Sequence, residues 1–238
     1  MSSPTTREPQ YQCCLDLRKA HGAINLGLMS GQGWIEDPKR LVFVLSRYKF
    51  VAKMLTGLGR VAEVGCADAF GTRIVMQDVG HITALDFDPV FIDDARSRLL
   101  EGDRVDLLVH DMLTGPVPGA PFEAAFSLDV IEHIDPAVED AFLGNMAASL
   151  SANGVCIIGS PSLESQQYAS PPSKAGHINC KSHKDFRLML QKHFGNVFLF
   201  SMNDEVVHTG YAPMAHYLFG LCCLPRRPAV CASSDPSS

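Results

Sequence analysis

The alternation of short apolar runs with longer amphipathic segments is the feature that most constrains the fold of this chain. Arg60–Cys66, His81–Asp88 and Val105–Met112 are short runs that contain several aliphatic residues, and helical spacing of apolar residues resumes between such runs. An alternation of strands and helices is typical of a parallel sheet covered by helices. We therefore predict an α/β fold with helices on both faces of a seven-stranded, mostly parallel sheet whose last strand is antiparallel.

The other predicted elements follow the same pattern along the chain. The predicted helices are 38–58, Phe70–Val79, Pro89–Leu100, Pro136–Leu150 and His183–Phe194. The predicted further strands are Phe122–Val130, Gly154–Pro161, Val197–Met202 and Ala215–Leu224. The polar stretch 162–182 is long for a loop in a compact domain, and loops of that length are usually functional or disordered.

The length of 238 residues predicts one domain with extensions at its ends. We predict a flexible N-terminus over residues 1–10, an N-terminal helical cap over 11–59 and a catalytic core over 60–224. Residues 225–238 are rich in Pro and Ser, so we predict a disordered C-terminal tail.

Composition excludes several classes of protein. Apolar residues make up 46% of the chain, which is enough for a core, and the formal net charge of −6 argues against a nucleic-acid partner. No apolar run reaches the ~18–20 residues of a membrane span. The first ten residues lack the apolar part of a secretory signal, and the eight cysteines show no disulfide-like spacing. We therefore expect a cytoplasmic protein with reduced thiols and no membrane partner.

Acidic residues follow four successive predicted strands. Glu63, Asp86, Asp111 and Asp129 each stand at or just after the end of a strand. In a doubly wound sheet, ligands bind outside the carboxyl ends of the strands, and a carboxylate there can bind ribose hydroxyls. Each acid taken alone could be a solvated cap, but four in succession indicate a nucleoside site.

The turn after the first of these strands narrows the choice of ligand. Its pattern is Gly65-x-Ala67-x-Ala69, whereas a dinucleotide site favours G-x-G-x-x-G. The carboxylate of Glu63 would repel a pyrophosphate but suits a cationic nucleoside. A nicotinamide-dependent oxidoreductase of the same architecture is therefore the less favoured alternative.

These motifs resemble those of the class I S-adenosylmethionine-dependent methyltransferases. The match comprises Glu63-x-Gly65-x-Ala67, Leu85-Asp86-Phe87, His110-Asp111-Met112 and Leu128-Asp129 with the following Glu132-His133. It is closest to the small-molecule branch with the ubiquinone-biosynthesis O-methyltransferases, and it implies a Rossmann-like domain that binds S-adenosylmethionine. The resemblance implies cofactor-binding roles for Glu63, Gly65, Cys66, Ala67, Asp86, Phe87, Asp111, Met112, Leu128 and Asp129. The family usually has Gly at positions 67 and 69, and a methyl group at each is tolerated where φ is negative.

Transfer to oxygen or nitrogen needs a group that removes a proton from the acceptor, and histidine is the usual one. His133, His177 and His208 follow strand ends or lie in polar loops, so they are the candidate catalytic residues. Each of them can also be structural. His177-x-x-Cys180-x-x-His183 resembles a metal motif but lacks a fourth ligand, and we predict no metal site there. The sequence leaves open whether a divalent cation assists through Asp129 or through Asp204 and Glu205.

The expected acceptor is a small polar metabolite methylated on oxygen, such as a sugar, a phosphate-bearing compound or a natural-product hydroxyl. Candidate acceptor contacts are Arg47, Lys49, Tyr168, Asn203 and Tyr211. The sequence leaves open an N-methyltransferase, a non-catalytic S-adenosylmethionine-binding module and the oligomeric state, a homodimer included.

Overall fold

The computed structural model describes residues 4–226 of the chain. Its strands are β1 (Arg60–Val64), β2 (His81–Asp86), β3 (Val105–Val109), β4 (Phe122–Leu128), β5 (Leu150–Pro161), β6 (Phe194–Asn203), β7 (Val206–His208) and β8 (Tyr217–Pro225). Its α-helices are α1 (Gln12–His21), α2 (Leu28–Glu36), α3 (Pro38–Leu55), α4 (Thr72–Val75), α5 (Pro89–Arg96), α6 (Glu139–Ala148), α7 (Pro171–Gly176) and α8 (His183–Gln191). Short 3₁₀ turns comprise Pro9–Tyr11, Ile131–His133, Glu164–Tyr168 and Ala212–Met214.

All the strands belong to one sheet, in the order β3-β2-β1-β4-β5-β8-β6-β7. Strands β3, β2, β1, β4 and β5 pair in parallel, and β8 is antiparallel to both β5 and β6. The predicted α/β class and the antiparallel last strand are confirmed. The sheet has eight strands rather than the predicted seven, because β7 adds an edge strand by pairing with β6.

The two faces of the sheet carry separate apolar cores. Helices α6 and α8 cover one face, with Phe142, Met146 and Phe186 in its core. Helices α3, α4 and α5 cover the other face, and the core there includes Val51 and Ile92. Because side chains alternate along a strand, those of neighbouring positions on β1 enter different cores.

One difference from the predicted elements concerns a helix. The helix predicted over Phe70–Val79 is only one turn, α4. Residues beyond it form tight turns, and the carbonyl of Asp78 accepts a hydrogen bond from the amide of Gly57 at 2.8 Å, which ties this segment to the start of β1. Most of the predicted C-terminal tail, residues 227–238, lies outside the described residues. Within residues 4–226, none of the helices combines the length and the apolarity that crossing a bilayer requires.

Candidate active site

The carboxyl ends of β1, β2 and β4 form an acidic edge of the sheet. Strand β1 lies between β2 and β4, so the order of strands reverses at this point, where ligands bind in doubly wound sheets. Glu63 lies in β1, Asp86 ends β2 and Asp129 directly follows β4. The structure thus places three of the acids singled out in the sequence on neighbouring strands. Asp111 lies at the next strand end, where its carboxylate accepts from the amide of Leu113 at 2.8 Å.

The turn after β1 has left-handed backbone conformation at several positions. The φ angles are +77° at Gly65, +47° at Ala67 and +52° at Ala69. A Cβ at position 65 would lie 2.2 Å from a methyl group of Val130, so only glycine fits there. The two alanines have positive φ, contrary to the expectation that a methyl group there would meet a negative φ. Each of them therefore holds a conformation that is strained for a residue with a side chain.

Three hydrogen bonds fix this turn against the end of β2. The amides of Gly65 and Cys66 donate to the carbonyl of Leu85 at 2.8 and 3.0 Å, and the amide of Ala67 donates to the Asp86 carboxylate at 2.9 Å. The other oxygen of Asp86 accepts from the amide of Asp88 at 3.0 Å. Asp86 thus holds the turn, and these two amides fix the orientation of its carboxylate. The carboxylate can still accept a hydrogen bond from a ligand hydroxyl.

The N-terminal helices reach the same turn. The amide of Ser30, in the first turn of α2, donates to the Asp68 carboxylate at 2.7 Å, and the hydroxyl of Ser30 lies 3.2 Å from its other oxygen. Asp68 thereby attaches α2 to the turn. This contact could not be predicted from local patterns, because it joins residues 38 positions apart.

Glu63 is a buried carboxylate without a partner of normal hydrogen-bond geometry among residues 4–226. Its side chain is 1% exposed, and neither of its oxygens accepts such a bond. Burial raises the pKa of Glu63 to about 7, and the nearby hydroxyls of Thr72 and Tyr48 offset part of that effect. The pKa of the neighbouring Cys66 thiol is also raised, mainly by burial, so this thiol stays protonated.

Asp129 pairs with Arg47 from helix α3. Nη1 of Arg47 lies 2.6 and 2.7 Å from the two oxygens of Asp129. The guanidinium carbon also lies 3.9 Å from the centre of the Tyr217 ring, a distance typical of a cation–π contact. Asp129 has a φ of +58°, which aspartate tolerates better than most residues. Arg47, predicted to contact the acceptor, thus lies at the acidic edge.

A second unpartnered acid lies next to this ion pair and was not singled out in the sequence. Glu132 is 0% exposed, and neither of its carboxylate oxygens accepts a hydrogen bond of normal geometry among the described residues, although its own backbone amide and the hydroxyl of Ser160 lie close enough to offset part of the shift in its pKa. Burial, followed by the charge of Asp129, raises the pKa of Glu132 well above its usual value. The available signal was its position beside His133, three residues after Asp129.

Two of the three candidate histidines lie together. The ring centres of His133 and His177 are 5.1 Å apart. Nδ1 of His133 lies 2.9 Å from the carbonyl oxygen of Gly176, and Nδ1 of His177 lies 2.8 Å from Oε1 of Gln166. The pKa of His177 is lowered by burial and then by His133, so His177 is neutral at neutral pH.

His208 does not join this pair. It ends the edge strand β7, and its Nε2 lies 2.7 Å from Oδ1 of Asn203. Four strand spacings separate β7 from β4, which is about 19 Å. His208 therefore lies away from the acidic edge, and none of its contacts among the described residues supports its predicted catalytic role.

The remaining candidate residues differ in their surroundings. Phe87 is 74% exposed, whereas Met112 and Leu128 are buried in the two cores. Lys49 is exposed and lies two positions from Arg47, so it occupies a different side of α3. Tyr168 and Tyr211 are largely exposed, on the loops that follow β5 and β7. None of these six residues has a contact that assigns it a role.

Comparison with known proteins identifies the domain. Residues 61–154 match the family described as "Methyltransferase domain", a range that holds β1 to β4 and all four acids. The matched part of the chain is thus a methyltransferase domain, in agreement with the resemblance of its motifs. A ubiquinone biosynthesis O-methyltransferase of Xylella fastidiosa (strain M23) is 32% identical over 114 residues, which are 44% of this chain and 46% of that protein. The chain thus spans about half the length of this curated relative.

One further sequence relative and one solved structure are similar to this chain. A probable S-adenosylmethionine-dependent methyltransferase of Mycobacterium tuberculosis (strain CDC 1551 / Oshkosh) is 26% identical over 102 residues, 42% of this chain and 35% of that protein. The N-methyltransferase NodS of Bradyrhizobium japonicum WM9 in complex with S-adenosyl-L-homocysteine has a TM-score of 0.64 at 15% identity. That comparison covers 89% of this chain and 98% of NodS and concerns the fold.

The acidic edge fits S-adenosylmethionine, the cofactor that the relatives' names and the methyltransferase fold imply. The cofactor carries a sulfonium and an ammonium group, and the unpartnered carboxylate of Glu63 lacks a nearby cation within the described chain. Asp86 has acceptor capacity for the ribose hydroxyls, and Gly65 lets the backbone turn closely after β1. These residues would hold the cofactor at the switch point of the sheet.

Proposed function

We propose that the chain transfers the methyl group of S-adenosylmethionine to a hydroxyl oxygen of a small polar acceptor. The observation that carries this proposal is the pairing of His133 with His177 beside Asp129, at the strand ends where the cofactor binds in this fold. The 32% identical relative is an O-methyltransferase, which favours oxygen over nitrogen.

The chain has two tasks in such a reaction. It must orient the acceptor against the methyl group while excluding water, and it must promote loss of the hydroxyl proton. When bound, S-adenosylmethionine supplies an electrophilic methyl group, whose carbon–sulfur bond breaks with its electron pair left on sulfur as the carbon–oxygen bond forms. The histidine pair promotes transfer of the acceptor's proton to solvent.

The acceptor is expected to be small and polar because of the residues around the histidine pair. The loop after β5 that carries His177 contributes Gln166 and Lys174, and Arg47 lies beside Asp129. Exposed tyrosines at positions 168 and 211 are the main aromatic groups on the two neighbouring loops. These groups suit hydroxyl, carboxylate or phosphate substituents.

Cofactor binding and transfer are tested separately. In calorimetry, Asp86→Asn is expected to weaken S-adenosylmethionine binding about tenfold or more, since the neutral amide loses charge-assisted acceptance of the ribose hydroxyls. Asp106→Asn, an exposed aspartate in β3, is the matched control. Unchanged affinity of the Asp86 variant would remove the cofactor assignment.

Transfer is tested by incubating the protein with methyl-labelled S-adenosylmethionine and panels of sugar, phosphorylated and phenolic acceptors. Mass spectrometry of the products then locates the label. A product labelled on oxygen supports the proposal. A product labelled on nitrogen, or cofactor binding without turnover of any acceptor, would replace it by one of the two alternatives.

A further inference from the structure

Asp68 stands in the turn after β1, between two residues of left-handed conformation. We call residues 65–69 the cofactor turn. Ala67 and Ala69 have φ angles of +47° and +52°, which are strained for alanine. Such residues persist only where the surrounding contacts fix them. The contacts of Asp68, which is 4% exposed, are therefore part of what holds the cofactor turn in shape.

The contacts of Asp68 come from three different parts of the chain. Its carboxylate accepts from the amide of Phe70, just after the turn, at 3.2 Å. The same carboxylate accepts from the amide of Ser30 at 2.7 Å and lies 3.2 Å from the Ser30 hydroxyl. The guanidinium of Arg98, just beyond α5, donates to the backbone carbonyl of Asp68. Because hydrogen bonds to a charged acceptor are the stronger ones, Ser30 contributes substantially to the orientation of this side chain.

The first turn of helix α2 is held by carboxylates of the core. Besides the contact of Ser30 with Asp68, the amide of Leu28 donates to Asp94 at 3.2 Å, and Asp94 lies 2.8 Å from Nη2 of Arg98. The amides in the first turn of a helix have no partner within the helix, and the helix dipole favours negative charge there. Asp68 thus binds the start of α2 and belongs to the cofactor turn at the same time.

Apolar packing contributes little to the attachment of the N-terminal helices. In the described chain, neither α1 nor α2 contains a buried residue, although α2 also contacts α3. Between the two helices, Ile24 is 65% exposed, and a cavity of about 90 Å³ separates this segment from helices α4 and α5. Helices of 10 and 9 residues are marginal in water on their own. The position of this segment therefore depends strongly on the polar contacts at the start of α2.

Gly27 allows the start of α2 to approach Asp68 and Arg98 closely. Its φ of +105° and ψ of 172° lie in a region that is open essentially to glycine alone. A Cβ at this position would lie 2.7 Å from Oδ2 of Asp68 and 2.8 Å from Nη2 of Arg98. Both atoms take part in the hydrogen bonds described above, so displacing either of them would weaken those bonds. Gly27 itself does not belong to the cofactor turn.

We propose that Asp68 is a positioning residue that couples helix α2 to the binding of S-adenosylmethionine. With α2 attached, Ser30 fixes the Asp68 carboxylate and thereby the strained cofactor turn. With α2 detached, the turn relaxes, and cofactor binding then has to restore the strained conformation. Such coupling is reciprocal, so bound cofactor stabilises the attachment of α2 by the same factor. This inference rests on cofactor binding and not on the acceptor proposed above.

The coupling is measured with Gly27→Ala, which displaces the start of α2 without changing a residue of the cofactor turn. The matched control is Gly33→Ala in the same helix, because a Cβ there has nothing within 4 Å. In calorimetry on the full chain, Gly27→Ala is expected to weaken S-adenosylmethionine binding about tenfold, since typical couplings are ~5–150-fold. Gly33→Ala is expected to bind the cofactor like the wild type.

The role of Asp68 is tested in a double-mutant cycle. Asp68→Ala alone should weaken cofactor binding about tenfold or more. Adding Gly27→Ala to it should weaken binding little further, because both substitutions remove the same contact. Asp68→Asn keeps the shape of the side chain and one acceptor oxygen, so its loss of affinity should be smaller than that of Asp68→Ala.

Hydrogen exchange in α2 is a measurement that a mere loss of overall stability would not reproduce. In the wild type, S-adenosylmethionine should slow exchange of the amides of residues 28–36 by about tenfold, the reciprocal of the effect on affinity. In Gly27→Ala and in Asp68→Ala, the cofactor should leave exchange in α2 nearly unchanged. Circular dichroism and urea unfolding show that each variant is folded.

The outcomes separate this proposal from the proposed function. Equal cofactor affinity of the wild type and Gly27→Ala, an equal loss in Gly33→Ala, additive losses in the double variant, or exchange in α2 that is independent of the cofactor would overturn the coupling. These measurements need no acceptor. A wild type that binds S-adenosylmethionine but labels no oxygen would therefore overturn the proposed function only, and the affinities would still decide the coupling.

Discussion

Replacement of Glu63 by glutamine should stabilise the protein without cofactor at alkaline pH. The pKa of Glu63 rises from its ordinary value of 4.5 to about 7 in the folded chain, mainly because the side chain is buried. Between these two values the folded state binds a proton that the unfolded state has released. The contribution of Glu63 to the free energy of unfolding is therefore fully present below pH 4.5, and this contribution is lost as the pH rises through 7.

The size of the effect follows from the same two values. The difference between a pKa of 4.5 and one of about 7 corresponds to about 3 kcal/mol, since a tenfold change in proton affinity is worth ~1.36 kcal/mol. Because the unfolded carboxyl is already partly ionised at pH 5, the loss between pH 5 and pH 8 is about 2–3 kcal/mol. Glutamine has nearly the same shape and does not ionise, so this loss should vanish in Glu63→Gln.

Urea unfolding at pH 5 and pH 8, without cofactor, measures the difference. The free energy of unfolding of the wild type minus that of Glu63→Gln should fall by about 2–3 kcal/mol between the two pH values. The contributions of other titrating groups are the same in both proteins, so they cancel in this difference. Glu101→Gln, an exposed glutamate in the turn before β3, should show no such change. The same pH dependence in wild type and Glu63→Gln would refute the reasoning.

Two further predictions concern the residues around the same edge. Ala67→Gly should raise the free energy of unfolding by about 0.5–1 kcal/mol, because the strain of alanine in a left-handed conformation exceeds the entropy cost of glycine. The control Ala141→Gly, in helix α6, should lower the free energy of unfolding. A loss of stability in both variants would contradict this account. Arg47→Met should cost about 2–3 kcal/mol in thermal or urea unfolding, less than a fully buried pair because the Asp129 side chain is 32% exposed. Arg47→Lys should be destabilised much less than Arg47→Met, since both contacts with Asp129 come from one nitrogen of Arg47. Equal losses of stability in the two variants would show that charge is not the cause.

The acidic edge could be predicted because the position of each acid relative to its own strand can be seen in the sequence. Glu63, Asp86 and Asp129 stand at the ends of apolar runs, and the carboxyl ends of parallel strands meet at one edge of a sheet. The helix–strand alternation fixed the class of fold for the same reason. What remained open was the strand order beyond β5, where β8 lies between β5 and β6 and β7 adds an edge.

Contacts across long stretches of sequence could not be predicted. The spacing of His133 and His177 in the sequence does not predict that their rings lie 5.1 Å apart, since the loop after β5 sets that distance. The positive φ of Ala67 was missed because alanine usually avoids that conformation, and the hydrogen bonds of the turn impose it. The burial of Glu132 required knowledge of what packs over the end of β4.

The loop after β5 has two parts with different tolerance for change. Residues 177–181 are bound to the protein interior through Glu139, Asn179 and Lys181, whereas residues 163–175 include exposed positions such as Tyr168. Insertions or exchanges in the outer part leave the anchored part in place. Libraries that alter the choice of methyl acceptor should therefore randomise the outer part and keep the anchor intact, so that diversity is confined to the rim of the site.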